Sequence, residues 1–113
     1  MFDTVARLRA YSEAGADILY APGVKTMAEI EAVVAAVAPK PFNLLIGADS
    51  ALRVADAAAL GVRRISVGGA MARAAWGGFM LAAQSIANEG KFAFPNAASG
   101  KELNAIFGKH GPT

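Results

Sequence analysis

The residues that could do chemistry cluster at three glycine-rich points: Ala21-Pro22-Gly23, Ile46-Gly47-Ala48-Asp49 and Val67-Gly68-Gly69. Each follows a short apolar run, as the C-terminal end of a strand would. In parallel α/β proteins ligands bind at those ends. A residue without a Cβ there lets a ligand approach the backbone closely. Pro22, Gly23, Gly47, Gly68 and Gly69 are therefore candidate pocket residues. At Gly68-Gly69 a helix begins at once, and its free N–H groups and dipole would favour a phosphate or carboxylate. The alternative is that the two glycines only make a tight strand-to-helix turn.

Two polar residues lie inside the strands themselves. Alternation puts Asn43, Leu45 and Gly47 on one face and Phe42, Leu44 and Ile46 on the other. The bulky face should meet helices, which turns Asn43 away from them. Arg64, Ser66 and Gly68 would follow the same rule on the next strand. Asn43 and Ser66 are then expected to share one polar network, either as part of a pocket or as a satisfied pair low in the core.

The remaining candidates are discounted. Arg63 and Arg64 open their strand, on the side that serves stability rather than substrate binding. Arg73 lies one turn into a helix, within reach of an anion at Gly68-Gly69, but a solvated or salt-bridged arginine is the expectation. His110 is the sole histidine and lies in the tail. Asp17 is at the wrong end of its strand, and Asp49 is expected to cap a helix. Trp76, Phe79 and Met80 read as packing or interface residues. No carboxylate pair, nucleophile–base pair or metal triad can be assembled at the strand ends, so the chain is not a complete active site.

The elements that position these residues follow from periodicity and punctuation. A helix is expected over 3–14, with Phe2, Val5, Leu8 and Tyr11 on one row and Gly15 as its stop. A strand follows at 18–21. Thr26-Met27-Ala28-Glu29 has capping-box spacing and opens a helix that ends before Pro39. The second strand spans 41–47, and Asp49 or Ser50 is expected to cap the third helix. Gly61 ends that helix, 64–67 is the third strand, and a long helix runs from Ala70 to about Glu89. Residues 92–98 form a linker. Ser99-Gly100-Lys101-Glu102 is a second capping-box pattern, opening a last helix with Leu103, Ile106 and Phe107 and ending at Gly108. The tail after it is expected to be loose.

Gly15 to Gly23 and Gly61 to Gly69 repeat one spacing around "EAGADILYAPG" and "ALGVRRISVGG". Repeated βα units mean a parallel sheet. Three such strands are too few for a (β/α)8 barrel of roughly 250 residues. The expected fold class is α/β: with two open edges and one uncovered face, the three strands read as a piece of a barrel that either pairs with other copies or is missing its other half.

Bulk composition narrows the function classes. The chain has 113 residues, 55% apolar and 18% charged, with net charge +2. The apolar share suggests more surface to bury than a small monomer covers. The eleven basic residues are scattered, without a nucleic-acid-binding stripe or module, so no nucleic-acid partner is expected. The longest apolar run, "AAWGGFMLAA", is far short of the ~20 residues of a membrane span. Neither a membrane role nor secretion is expected. There is no cysteine, which excludes disulfides and thiolate metal sites and fits a cytoplasmic location.

The segments "YSEAGADILYAPGV", "PFNLLIG" and "LGVRRISVGGAMARAAWGGFMLAAQSI", in this order, resemble the C-terminal part of the isocitrate lyase/phosphoenolpyruvate mutase superfamily. The tail "EGKFAFPNAASGKELNAIF" fits the branch whose sixth strand ends in "YAPG". The resemblance runs from about Asp3 to Phe107, and it implies the C-terminal part of a (β/α)8 TIM-type barrel, with strands six to eight in residues 1–90 and a linker and C-terminal exchange helix in 91–113. It implies a Mg²⁺-dependent barrel acting on C–C or C–P bonds of small α-keto or 2-hydroxy carboxylic acids through an enolate-like species. It also implies a small carboxylic or phosphonic acid substrate. The family's metal-binding acids, its Lys-Cys/Ser-Gly-His loop and its fifth-strand Arg have no counterpart here, so Mg²⁺ is expected for the full-length enzyme with ligands outside this chain.

Pro22 occupies the position of the Glu that methylisocitrate-lyase-like members carry, and Leu45 that of their seventh-strand Asn. Both depart from that substrate set. The family's tetramers exchange the terminal helix between subunits, which makes a homo-oligomer with an exchanged Ser99–Phe107 segment the expectation. Two other readings stand beside this one: a non-catalytic, self-associating half-barrel acting as an interaction module, and an unrelated barrel piece with a phosphate site at Gly68-Gly69.

Overall fold

In a computed structural model the sequence forms five helices and three strands, and the structure describes residues 1–108. The first helix, α1, spans Phe2–Glu13 and leads through a turn to β1, Leu19–Tyr20. Its C-terminal carbonyls are held by distant chemistry: Lys40 Nζ donates to the Ser12 carbonyl at 2.6 Å. A cation at a helix C-terminus also opposes the negative end of the helix dipole.

The second helix, α2, spans Met27–Val37 and starts at Thr26 as its cap. Thr26 Oγ1 accepts from the Glu29 N–H at 3.2 Å, while Glu29 Oε2 accepts from the Thr26 N–H at 3.0 Å. Both halves of the box foreseen from Thr-x-x-Glu are present. The strand β2 spans Phe42–Leu45, and the third helix, α3, spans Val54–Ala59. Here the expected cap is corrected. The helix starts from Arg53, whose N–H is taken by Asp56 Oδ2 at 2.9 Å. The Ser50 hydroxyl is engaged earlier, accepting from the Leu52 N–H at 3.2 Å, which closes a local turn rather than a helix.

The last strand, β3, spans Arg64–Ser66. The sheet is parallel in the order β1-β2-β3, with Leu19 opposite Phe42, Asn43 opposite Arg64 and Leu45 opposite Ser66. Strand pairing is shorter than the apolar runs suggested. Two further ladder bonds extend it, Leu19 N–H to the Pro41 carbonyl and Ile46 N–H to the Ser66 carbonyl.

Helices cover the face of the sheet that carries Leu19, Phe42 and Leu44. These side chains join Leu8 of α1, Ile30, Val33 and Val37 of α2, and Ala57 of α3 in one buried cluster. The opposite face carries Asn43, Leu45, Arg64 and Ser66. The chain divides into two compact units, Met1–Met71 and Ala72–Thr113. The whole buried cluster belongs to the first.

The long helix α4 spans Ala70–Glu89 and the last helix, α5, spans Gly100–Gly108; neither contains a buried residue. The second capping box is formed: Ser99 Oγ accepts from the Glu102 N–H at 3.2 Å and Glu102 Oε2 accepts from the Ser99 N–H at 2.9 Å. The expectations for His110 and for a loose tail lie outside the described residues. No helix of the described residues is long and apolar enough to cross a membrane.

Candidate ligand pocket at the strand ends

Asn43 is the centre of the polar row on the helix-free face. Its side-chain oxygen accepts from Arg64 Nη1 at 2.8 Å and its nitrogen donates to Ser66 Oγ at 3.0 Å. The strand register explains both bonds, since Arg64 lies directly opposite Asn43 and Ser66 opposite Leu45. Asn43 is only 5% exposed, and it is the one buried polar side chain among the described residues. The expected sharing between Asn43 and Ser66 is therefore present as a hydrogen bond. Arg64, set aside as a substrate ligand, belongs to the same row. The signal for it was the two-residue alternation that puts Arg64 and Ser66 on one face.

Gly23 and Gly47 line a common hollow of about 320 Å³ at the ends of β1 and β2, with Lys25, Asp49 and Ser50 as its polar residues. Asp49 therefore lines the hollow rather than capping α3. Lys25 carries the one positive charge of that lining. No sequence pattern singled it out beyond its place two residues after a strand-end glycine. Pro22 lines a different hollow of about 220 Å³, with Thr4, Arg7, Tyr11 and Tyr20. The chain reverses between the two neighbours because Gly23 has a φ of +89°, a backbone state open to glycine and strained for most other residues.

Gly68 has a φ of +53°, and the Ala70 N–H closes onto the Val67 carbonyl at 3.0 Å. Gly68-Gly69 thus make the tight turn that starts α4, which uses one of the helix N–H groups an anion would need. A Cβ on Gly68 would stand 3.5 Å from Leu45 Cδ1, and one on Gly47 would stand 3.8 Å from the same atom. The Leu45 side chain occupies the ground between these two strand ends. The candidate residues therefore fall into separate groups: Gly23 with Gly47, Asn43 with Ser66, Gly68 with Gly69 in a turn, and Pro22 apart.

The electrostatics are sparse. The Glu29 carboxyl beside the hollow is held below the usual carboxylate range, first by the Thr26 N–H and then by the Lys25 N–H. That is a cap at work, not an acid tuned for proton transfer. Magnesium takes oxygen ligands, usually one or two carboxylates completed by water and substrate oxygens. Among the described residues no three His, Cys, Asp or Glu side chains converge, and the strand-end hollow is lined by a single carboxylate, Asp49, together with the cation of Lys25, a donor set that does not fit a metal centre. In the second unit a larger hollow, about 780 Å³, is lined by Gly77, Gly78, Phe79, Ile86 and Phe94 and carries no acid or base.

A parallel sheet with βα units, helices on one face and glycine at each strand end defines part of a barrel of the (β/α)8 type. The family model described as phosphoenolpyruvate phosphomutase matches residues 1–87. The chain belongs to this phosphoenolpyruvate mutase/isocitrate lyase family. A solved protein from Burkholderia cenocepacia J2315 described as a lyase/mutase is 48% identical, with a TM-score of 0.84 over 95% of this chain and 39% of that one. A 2,3-dimethylmalate lyase structure is 25% identical, with a TM-score of 0.75 over 94% of this chain and 38% of that one. An oxaloacetate acetylhydrolase bound to 3,3-difluorooxalacetate is 26% identical, with a TM-score of 0.74 over 97% of this chain and 38% of that one. The chain thus spans about two fifths of the length of the structures it matches. No curated protein matches the chain.

Proposed function

We propose that these residues are strands six to eight and the terminal helix of a Mg²⁺-dependent enzyme of the family. The enzyme acts on C–C or C–P bonds of small α-keto or 2-hydroxy carboxylic acids. The observation that carries this is the 48% identity to a lyase/mutase over 95% of this chain and only 39% of that one. The metal and the acid–base groups then belong to strands outside this chain, and the isolated 113 residues have no activity. Leu45 lines the strand-end hollow and Pro22 a separate one, and both stand where methylisocitrate-lyase-like members carry other residues, which argues against that substrate type. The test is direct assay of the purified chain with MgCl₂ and oxaloacetate, 2,3-dimethylmalate or methylisocitrate. No turnover above buffer is expected, and metal-dependent cleavage by this chain alone overturns the proposal.

Its partner is a second copy, with α5 exchanged between subunits. The absence of any buried residue in α4 and α5 supports this. The same observation favours the second reading, a non-catalytic half-barrel that self-associates as an interaction module. Sedimentation of pure protein addresses both: each requires an oligomer, and a well-folded monomer counts against both. If an oligomer forms, metal-dependent activity in any preparation carrying the remaining strands separates the enzyme from the module.

A further inference from the structure

The row on the helix-free face of the sheet has an unusual polarity. Asn43 has only one workable orientation in it. With its oxygen toward Arg64 and its nitrogen toward Ser66, both bonds form. Reversed, the amide NH₂ would face a guanidinium that has donors only. Ser66 Oγ therefore accepts, and its own hydrogen is directed elsewhere. The row ends in donors on both sides, a guanidinium fork at Arg64 and a hydroxyl at Ser66.

Its charge is also unmatched. The ion pairs among the described residues are Arg7 with Asp3 and Lys91 with Glu89, so no carboxylate of those residues answers Arg64. Parallel sheets are normally covered on both faces. A covered arginine needs a counter-charge with matching hydrogen bonds. The strand ends where small ligands bind lie beyond the Leu45 side chain, whose Cδ1 sits 3.5 Å from where a Cβ on Gly68 would stand.

We propose that Arg64 and Ser66, held by Asn43, form a binding site for a single carboxylate group. The guanidinium takes the carboxylate through paired N–H donors, and the hydroxyl adds one bond from the side. One cation and one hydroxyl match the single charge of a carboxylate better than the higher charge of phosphate. The carboxylate comes either from a side chain of the polypeptide that covers this face or from a small acid. The site is independent of the lyase reading, because it needs only the sheet.

The test is nuclear magnetic resonance on the labelled 113-residue chain, following the Arg64 Nε–H and Asn43 side-chain NH₂ signals. The probes are sodium acetate, propionate, oxalate and phosphate, against chloride at equal ionic strength. Acetate is expected to move both signals saturably, with a Kd of roughly 10–100 mM for one charge-assisted contact. Arg64→Met, read at the Asn43 NH₂ signal, abolishes the response. Arg64→Lys weakens it several-fold, and Ser66→Ala about threefold, with the amide spectrum of the folded chain kept. If Arg64→Met unfolds the chain, Arg64→Lys carries the comparison. Equal affinity for propionate and oxalate assigns the carboxylate to a side chain, and oxalate tighter by tenfold or more assigns it to a small acid. Absence of a saturable shift, an unchanged response in the Arg64 variants, or phosphate binding tighter than every carboxylate overturns the proposal.

Discussion

The two units of this chain both carry large apolar side chains and use them in opposite ways. In Met1–Met71 the apolar side chains of α1, α2, α3 and the sheet close on one another, and eight of them are no more than 2% exposed, Phe42, Leu8 and Leu19 among them. In α4 and α5 nothing is buried: Trp76 and Phe79 are each 62% exposed, though they meet edge to face at 5.4 Å. Scattered surface hydrophobes need no explanation, but a run of large ones along one helix does. The first unit satisfies its own core. The second carries a surface that helix propensity alone would not maintain, since most helical stability comes from packing an amphipathic face.

The largest test of that contrast is truncation on each side of it. Phe42→Ala removes a ring that is 1% exposed and should cost about 3–5 kcal/mol. That is a large part of the whole stability of a small domain, so denaturant unfolding followed by circular dichroism should show a collapsed midpoint. Trp76→Ala should change the same midpoint by no more than about 0.5 kcal/mol. It should instead shift the sedimentation profile toward smaller species. A Trp76 effect on stability as large as that of Phe42 would erase the distinction between the units.

Next in size is the polar row. Asn43→Ala removes both of its bonds from a buried position and should cost about 1–3 kcal/mol in the same unfolding measurement. A change near zero would mean that the row contributes nothing to the first unit and matters only when its face is covered.

The two capping boxes allow a matched comparison, because the chemistry is the same and the surroundings differ. Thr26→Ala should lower the stability of the first unit by about 1 kcal/mol, visible in the global transition. Ser99→Ala removes an equivalent bond, yet it should only speed amide exchange in α5, where no residue is buried. Equal shifts of the global transition would show that α5 folds as one unit with the sheet.

What the sequence made legible follows the range of the forces involved. Both capping boxes could be read because all their partners lie within three residues, Thr26 with Glu29 and Ser99 with Glu102. The pairing of Asn43 with Ser66 could be read because strand alternation is a strict period of two. The start of α3 could not. Asp49 and Ser50 are both good caps, but the Ser50 hydroxyl closed a turn on Leu52 and left Arg53 and Asp56 to begin the helix. The split between Pro22 and Gly23 was equally hidden, since it depends on the positive φ at Gly23 turning the chain between two hollows. Leu45 standing between Gly47 and Gly68 is a contact across strands that no local pattern carries.

The smallest expected effect is set by pH. The carboxyls of Glu29 and Glu102 are both held below the ordinary value of 4.5, Glu29 mainly by the Thr26 N–H and Glu102 mainly by the Ser99 N–H. A carboxyl lowered in the folded state adds stability that is complete above its unfolded value. That contribution is lost as pH falls through the folded one. Both caps should therefore be intact at neutral pH and weaken below about 4.5. Because both groups are exposed, the effect is small. Its location is the informative part. Protonation of Glu29 should lower the midpoint of the first unit, and Glu29→Gln, which keeps a bond without the charge, should flatten that acid limb. Protonation of Glu102 should leave the midpoint alone and speed amide exchange only in α5. An acid limb unchanged by Glu29→Gln would mean that the box acts through its bonds and not through its charge.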